Sequence, residues 1–236
     1  MRRGLSVALA AALTLAGCDR LTAPLNDAVF EARVRAYLLE HPEVLEEAVT
    51  RLNQRRQAEA GRQRTVALAA QRQALERDPR DFVANPNGRV TLTQFYDYRC
   101  PHCITAAPDV LALIRGDPDL RVVFKELPVF GGASDRAARL ALAVRRGGGD
   151  SLALYQDLTG ARPLDDAAID RLAARYGVDA AALNAADPVT AEHLDAVKQV
   201  ADALGIDGTP TFVIGDRVIP GADFEAVRSA ITEARA

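Results

Sequence analysis

A Cys-Pro-His-Cys motif at residues 100–103 constrains this chain more than any other feature. Residues 90–96, directly before it, alternate in polarity and are rich in β-branched and aromatic side chains, which predicts a strand. Residues 104–115, directly after it, have helical composition. Two thiols separated by two residues at a helix start can close a small disulfide ring and reopen it. The motif therefore predicts a strand, a redox-active dithiol and a helix in immediate succession.

Coincidence or half of a zinc site is the competing interpretation of this motif. A structural zinc site needs four ligands, usually supplied by a second Cys-X-X-Cys pair or by paired histidines. The histidines outside the motif, His41 and His193, are single and far apart in the sequence. We therefore favour thiol–disulfide exchange, and we expect neither a metal nor a cofactor.

The third cysteine, Cys18, follows a segment with the pattern of an export signal. Arg2 and Arg3 precede an apolar run over residues 5–16, which is short for a membrane span. The run ends in Leu-Ala-Gly before Cys18, which resembles the bacterial lipobox. In such signals cleavage precedes the cysteine, which is then acylated and anchors the protein. An ordinary signal peptide followed by an unrelated cysteine is the alternative.

Either version predicts a signal peptide over residues 1–17 and a mature chain that works outside the cytoplasm, where disulfides persist. The lipobox version adds a membrane anchor at Cys18, on the periplasmic side of a bacterial envelope. The formal net charge is only −3, so composition gives no reason to expect a nucleic-acid partner. Hydrophobic residues make up 49% of the chain, which is typical of a folded protein.

Residues 26–76 are predicted to be helical. Val34, Leu38 and Leu45 recur at helical spacing, and Pro42 is expected to start a second helix. After Leu52 apolar residues become rare and arginines dominate, so we expect this stretch not to bury itself against its own domain. Residues 18–77 are therefore predicted to be a helical N-terminal arm that serves as a tether or in oligomerisation.

The remainder, residues 78–236, is predicted to be one α/β domain. A second strand over residues 120–126 completes a β-α-β unit with the strand and helix around the dithiol. A hairpin at 211–219 with a Gly-Asp turn and a helix at 223–234 end the chain. Between these two halves, residues about 131–188 are predicted to be an all-helical block. Its expected helices, together with the helix that follows it, cover 137–146, 151–158, 165–176, 179–184 and 190–204.

Three motifs carry a resemblance to a known family. They are Phe-Tyr-Asp-Tyr-Arg-Cys-Pro-His-Cys at 95–103, Lys-Glu-Leu-Pro at 125–128 and Gly-Thr-Pro-Thr-Phe-Val-Ile at 208–214. Together they resemble the DsbA-like thiol:disulfide oxidoreductases over about Phe82 to Ile231. With its helical arm, the whole chain resembles the ScsC (suppressor of copper sensitivity) branch, some of whose members are trimeric disulfide isomerases. The resemblance implies a thioredoxin fold with an inserted all-helical block, preceded by a helical N-terminal arm, and protein-disulfide oxidoreductase activity.

Within the motif, the two thiols are expected to have different roles. Cys100 would lie at a helix start, where unpaired N–H groups and the helix dipole stabilise a thiolate. Cys103, one turn further, would be shielded and act as the resolving thiol. His102 can place positive charge beside Cys100, although a plain helix-start role is the alternative. The dipeptide Pro101-His102 is the one that oxidising members of the family carry.

Two further positions enter through the resemblance. Pro210 is implied to be a cis-proline facing the cysteines, with the backbone of Thr209 pairing with a substrate segment as an added strand. Without the resemblance, a trans Thr-Pro bond is the expectation. In the family, threonine before this proline is commoner among isomerases. Glu126 is a candidate proton relay near Cys103, and a surface ion pair between Lys125 and Glu126 is the alternative.

These observations favour an envelope protein that forms or isomerises disulfides in exported client proteins through a mixed disulfide. Its expected partners are cysteine-containing clients and a membrane redox protein that recharges the pair, with a homo-oligomer through the arm as a further option. Oxidase and isomerase both remain open. The main alternative is a periplasmic copper-tolerance protein whose two thiolates chelate Cu(I). A structural or adhesive lipoprotein with unused thiols is the other.

Overall fold

The computed structural model describes residues 27–184 and 187–235. The predicted signal at 1–17 and the predicted acylation site Cys18 lie outside the described residues. By contacts, the chain divides into two compact units between Ala58 and Glu59. No helix in the described part of the chain is both long and apolar enough to cross a membrane.

Two helices make up the N-terminal region. Helix α1 covers Asp27–Glu40 and α2 covers Glu43–Glu76, so the predicted break at Pro42 is confirmed. In α1 and the first part of α2, large apolar side chains are exposed to solvent, among them Phe30, Tyr37 and Leu45.

The last turns of α2 pack into the core, and the expectation that this stretch stays unburied is wrong. Leu68 and Leu75 are completely buried and belong to one apolar cluster with Phe95, Val197 and Val213. The two leucines are seven residues apart, which places them on the same side of the helix. Their narrow apolar stripe is flanked by alanines and surrounded by arginines, so the average polarity of the segment conceals it.

The centre of the fold is one sheet of five strands: β1 Phe82–Ala84, β2 Val90–Tyr96, β3 Leu120–Glu126, β4 Thr211–Ile214 and β5 Arg217–Pro220. Strands β2 and β3 are parallel, every other neighbouring pair is antiparallel, and the spatial order is β1-β3-β2-β4-β5. Helix α3, Pro101–Gly116, connects the two parallel strands. The edge strand β1 was not predicted, because three residues before a turn are too few to show alternation.

The segment between β3 and β4 is helical, as predicted. Four of the helical segments between β3 and β4 begin behind an aspartate whose side chain accepts a hydrogen bond from a first-turn N–H, namely Asp150, Asp165, Asp179 and Asp187. Such caps satisfy amides that would otherwise lack a partner. The helices are α4 Ala133–Arg146, α5 Ser151–Gly160, α6 Asp166–Arg175, a 3₁₀ turn Ala180–Leu183 and α7 Pro188–Leu204, and α8 Phe224–Glu233 follows the last strand.

Apolar clusters cover both faces of the sheet. On one face, Leu92, Tyr96 and Phe124 pack with residues of α3 and of the helical block. On the other face, Phe95 and Val213 pack with α7 and the end of α2. The chain thus has the predicted α/β architecture, a thioredoxin fold with an inserted helical block and a helical N-terminal region.

Candidate active site

The dithiol lies at the junction of β2 and α3. Cys100 is the N-cap residue of α3 and Pro101 is the first residue of the helix. The Cys100 N–H donates to the Asp97 carbonyl at 3.2 Å, and the Cys100 carbonyl accepts from the Ile104 N–H at 3.0 Å. Proline suits this first position because its missing N–H would have had no helical partner. The local sequence thereby holds Cys100 at the positive end of the helix dipole.

The loop before β4 faces Cys100 from the other half of the domain. The Cys100 Sγ donates to the Thr209 carbonyl oxygen at 3.1 Å, although the two residues are 109 positions apart. The Thr209–Pro210 peptide bond is cis, the form that the resemblance implied. Cys100 is only 3% exposed. The fold therefore brings Thr209 and Pro210 to the dithiol.

Cys103 lies one turn further along α3 and is completely buried. Burial raises the pKa of Cys103 to about 12, and the neighbouring Cys100 adds to the rise, while the Asp97 backbone and the Thr209 side chain oppose it. At neutral pH Cys103 is therefore a protonated thiol. Pro101 and His102, between the cysteines, are both exposed. The motif thus has a buried pair of sulfurs and an exposed dipeptide.

Glu126 is the last residue of β3 and is buried, 3% exposed. It pairs in register with Tyr96, whose hydroxyl donates to the Glu126 Oε1 at 3.0 Å. The Tyr98 hydroxyl lies 2.7 Å from that of Tyr96, which extends the network towards the dithiol turn. Burial raises the pKa of Glu126 to about 7. This carboxyl group is therefore poised to change its protonation state near neutral pH.

The alternative of a surface ion pair between Lys125 and Glu126 is wrong. Neighbouring residues of a strand point to opposite faces of the sheet. On the far face, the Lys125 Nζ lies 2.5 Å from the Asp81 Oδ2 and donates to the Ala74 carbonyl at 2.5 Å. The His193 Nε2 lies 3.4 Å from the other Asp81 oxygen, and burial lowers the pKa of His193 to about 4. Lys125, Asp81 and neutral His193 thus form a buried polar cluster that sequence reasoning missed.

Asp97 is a second residue that sequence reasoning missed. It is buried, and its Oδ1 accepts from the Arg99 N–H at 2.7 Å. Its Oδ2 accepts from the N–H groups of Val129 and Phe130 at 2.8 and 3.1 Å. These two side chains are 50% and 52% exposed. One carboxylate thus ties an apolar, solvent-facing loop to the dithiol turn. An aspartate two residues before a turn amide is the signal that sequence analysis could have used.

Within residues 27–184 and 187–235, no three His, Cys, Asp or Glu side chains are grouped in a way that suits a metal ion.

Replacing Glu126 by glutamine should change how stability depends on pH. The folded-state pKa of Glu126, about 7, lies above its ordinary value of 4.5. The protonated carboxyl therefore favours folding at low pH, and this contribution is lost as pH rises through 7. We expect the wild type to lose about 3 kcal/mol relative to Glu126→Gln between pH 4.5 and 8, measured by urea unfolding. Glu225→Gln, at an exposed position, is the control. Parallel curves for wild type and Glu126→Gln would contradict the assignment.

A thioredoxin fold with a Cys-X-X-Cys pair at a helix start, opposite a cis-proline loop, defines a thioredoxin-like dithiol protein. Residues 91–231 match the DSBA-like thioredoxin domain family, and residues 28–59 match the N-terminal domain of the copper resistance protein ScsC. The chain therefore belongs to the DSBA-like thioredoxin family, in the branch that carries an ScsC-type N-terminal domain.

Individual relatives agree with this family. The chain is 26% identical over 160 residues to the thiol:disulfide interchange protein DsbA of Bordetella parapertussis, covering 62% of this chain and 75% of that protein. The structure of Proteus mirabilis ScsC in a transitional conformation matches with a TM-score of 0.66 and 30% identity, covering 88% of this chain and 96% of the other.

A third relative is much longer than this chain. The match to the Na⁺/H⁺ antiporter NhaA 1 of Salinispora arenicola is 28% identical over 175 residues and covers 66% of this chain. This chain spans 25% of the antiporter's length.

Proposed function

We propose that this chain is an envelope thiol:disulfide interchange protein, which forms or isomerises disulfides in exported proteins. One observation carries the proposal: Cys100 sits at the start of α3 with its sulfur 3.1 Å from the Thr209 carbonyl, and Cys103 is completely buried behind it. That arrangement supplies an outer sulfur, Cys100, which a client attacks, and an inner sulfur, Cys103, which resolves the intermediate. The chemistry needs no cofactor.

In the oxidising direction, a client thiolate attacks the Cys100 sulfur of the Cys100–Cys103 disulfide. The bond between the two cysteines breaks, Cys103 leaves as a thiolate and takes up a proton, and a client–Cys100 mixed disulfide forms. A second client thiolate then attacks the client sulfur and releases Cys100. The client is oxidised by two electrons and the protein pair is reduced by two. The isomerising direction starts with a reduced pair, and Cys100 attacks a client disulfide.

Clients are proposed to bind beside Cys100 as an added strand on the backbone of Thr209. The exposed side chains of Val129 and Phe130, held near the dithiol turn by Asp97, offer apolar contact to an unfolded client. Pro101 and His102 complete the surface that a client meets. This surface suits client proteins that share exposed apolar segments rather than one sequence.

We assign Glu126 to the proton transfer at Cys103. Cys103 leaves as a thiolate and takes up a proton, which the resulting thiol holds strongly because its pKa is about 12; in the reverse step Cys103 must give that proton up. A carboxyl group with a pKa of about 7 can exchange that proton at neutral pH. Tyr96, which donates to Glu126, belongs to the same apolar cluster as Cys103.

The N-terminal region bears on the direction of exchange. We propose that the arm, predicted at residues 18–77, joins copies of the chain or tethers it to the membrane. The last turns of the arm, from residue 59, belong to the second compact unit, which contains the dithiol. Exposed apolar side chains at Phe30, Tyr37 and Leu45 support oligomerisation. An oligomer with several dithiols suits an isomerase. Thr209 also favours an isomerase, because threonine before this proline is commoner among the isomerases of the family.

Residues 1–17 are proposed to be a lipoprotein signal and Cys18 the acylated anchor, which would hold the protein on the periplasmic side of the envelope. The support is the sequence pattern of charged, apolar and small residues before Cys18. A membrane redox partner would then recharge the dithiol.

The function is tested with the full chain and two forms of ribonuclease, one reduced and one with scrambled disulfides, in a glutathione buffer. We expect recovery of ribonuclease activity to be faster than in glutathione alone for at least one form. Alkylation of Cys100 and Cys103 in cells then gives the direction: a mostly oxidised pair indicates an oxidase, and a mostly reduced pair an isomerase. Recovery at the glutathione rate for both forms would overturn the proposal.

Copper binding is the second candidate function. The observation that favours it is the match of residues 28–59 to the N-terminal domain of a copper resistance protein. Two thiolates of a Cys-X-X-Cys pair can chelate Cu(I). Anaerobic Cu(I) titration of the reduced chain, with Cys103→Ser as control, decides the matter. Affinity no tighter than that of a simple dithiol would remove this candidate.

A further inference from the structure

A cavity of about 560 Å³ lies at the opposite end of the sheet from the dithiol. One of its walls is Arg121, the second residue of β3, which pairs in register with Thr91 near the start of β2. Cys100 follows the other end of β2, and the strand between Thr91 and Tyr96 alone spans ~17 Å at ~3.3 Å per residue. The cavity is therefore separate from the dithiol.

Among the residues that the structure describes, no carboxylate lies within ion-pair distance of the Arg121 side chain in this cavity, and Glu76 and Asp81 act on it only from further away. It is only 7% exposed, and its buried Nη1 has no hydrogen-bond partner. Burial, reinforced by the positive charge of Arg77, lowers the pKa of Arg121, and the more distant Glu76 and Asp81 only partly oppose this shift. A buried guanidinium nitrogen without a hydrogen-bond partner is costly, and in a folded protein such a nitrogen usually binds a ligand, an ion or water.

Two more arginines line the same cavity, Arg77 just after α2 and Arg145 near the end of α4. The Arg145 guanidinium donates to the carbonyl oxygens of Asp81 and Pro79 at 2.8 and 3.1 Å, which orient it without neutralising its charge. Neither Arg77 nor Arg145 has a carboxylate within ion-pair distance among the residues that the structure describes.

The nearby carboxylates already have other partners. Glu76 lies 2.9 Å from the Arg72 guanidinium, and Asp81 lies 2.5 Å from the Lys125 Nζ. Asp150, in the cavity wall, caps α5 by accepting from the Ala153 N–H at 2.9 Å. The lining thus contains three arginines and one carboxylate, which leaves a net positive charge.

The backbone of the turn between α4 and α5 favours close approach of an anion. Gly148 lines the cavity with φ of +72°, and a Cβ added there would meet no atom within 4 Å. Few residues other than glycine adopt this conformation, so the wall carries no side chain at that point. Ser151, the first residue of α5, also lines the cavity, at the positive end of the helix dipole.

We propose that this cavity binds a phosphate monoester, with Arg121 and Arg77 donating to the phosphate oxygens and Arg145 adding positive charge. Guanidinium groups match the geometry of phosphate oxygens and bind them with charge-assisted hydrogen bonds. The half-buried Phe82 at the cavity wall offers an apolar contact to the organic part of the ester. A soluble ester and a lipid headgroup share this chemistry.

The test is titration of the full chain with glycerol 3-phosphate, with glycerol as the uncharged control, and in parallel with phosphatidylcholine vesicles that contain phosphatidic acid. Arg77→Gln, at an exposed position, should weaken binding about tenfold, as loss of one charge-assisted contact does. Arg121→Gln should weaken it at least as much, and thermal unfolding shows whether that variant is folded. Arg171→Gln, an exposed arginine on α6, is the matched control and should bind like the wild type.

Binding of glycerol 3-phosphate that depends on Arg77 assigns the cavity to soluble esters. Binding that depends on Arg77 but occurs with the vesicles alone assigns it to a lipid headgroup. Failure to bind either probe, equal binding of glycerol, or equal losses in Arg77→Gln and Arg171→Gln would overturn the proposal. Disulfide exchange needs none of these arginines, so the outcome is independent of the proposed function.

Discussion

Replacing Cys100 by serine should reduce disulfide exchange by about two orders of magnitude or more, to the rate of glutathione alone, because the attacking sulfur is lost. Burial of Cys103 and its pKa of about 12 leave it unable to take over this role. The measurement is the recovery of ribonuclease activity described above, with the redox buffer held constant. Partial activity in Cys100→Ser would contradict the division of roles.

The matched variant is Cys103→Ser, which keeps the Cys100 thiol and removes the group that resolves the intermediate. Mixed disulfides between Cys100 and client proteins should therefore accumulate in cells and disappear on reduction. The double variant Cys100→Ser/Cys103→Ser provides the blank. If Cys103→Ser traps no client, the result supports the alternative hypothesis that this chain is a structural lipoprotein with unused thiols.

Replacing Lys125 by methionine should cause the largest loss of stability that we expect from a single substitution, roughly 3–5 kcal/mol. Methionine fills much of the lysine volume but leaves the Asp81 carboxylate buried without its cation. Burial raises the pKa of Asp81 and Lys125 opposes that rise, so the loss should grow as pH increases above neutrality. Urea unfolding at two pH values measures the effect.

Two controls separate lost charge pairing from lost packing. The double variant Asp81→Asn/Lys125→Met should recover much of the stability, because neither member of the pair then leaves the other as an uncompensated charge. Lys198→Met breaks a pair with Asp202 on the exposed side of α7 and should cost no more than about 1 kcal/mol. A loss in Lys125→Met no larger than in Lys198→Met would contradict the role assigned to the buried pair.

Much of the fold could be predicted from local pattern. The bounds predicted for β2 and β3, 90–96 and 120–126, match the structure because both strands are fully extended runs bounded by turn residues. The dithiol was predicted at a helix start, since the helical composition of residues 104–115 directly after it is a local signal. Helix ends in the inserted block fell within a few residues of their predicted places, guided by aspartate caps.

Features that depend on distant parts of the chain escaped prediction. Burial of Leu68 and Leu75 is visible only once α7 and the sheet are in place. The Lys125–Asp81 pair joins residues that are 44 positions apart, and the sequence offered Glu126 as the nearer partner. The position of Thr209 beside Cys100 was predicted only through the family resemblance. The sequence spacing by itself favours a trans Thr209–Pro210 bond and predicts no contact between Thr209 and Cys100.

Helix α2 has a practical consequence for dissecting the molecule. Leu68 and Leu75 belong to the same apolar cluster as Phe95 and Val213. A fragment that lacks this helix would therefore expose an apolar surface of the sheet to water and to other chains. Fusion partners, protease sites and shortened forms for crystallisation therefore belong upstream of Glu59. A cut at the obvious Asp78-Pro79 junction would produce aggregation that could be mistaken for loss of the dithiol's chemistry.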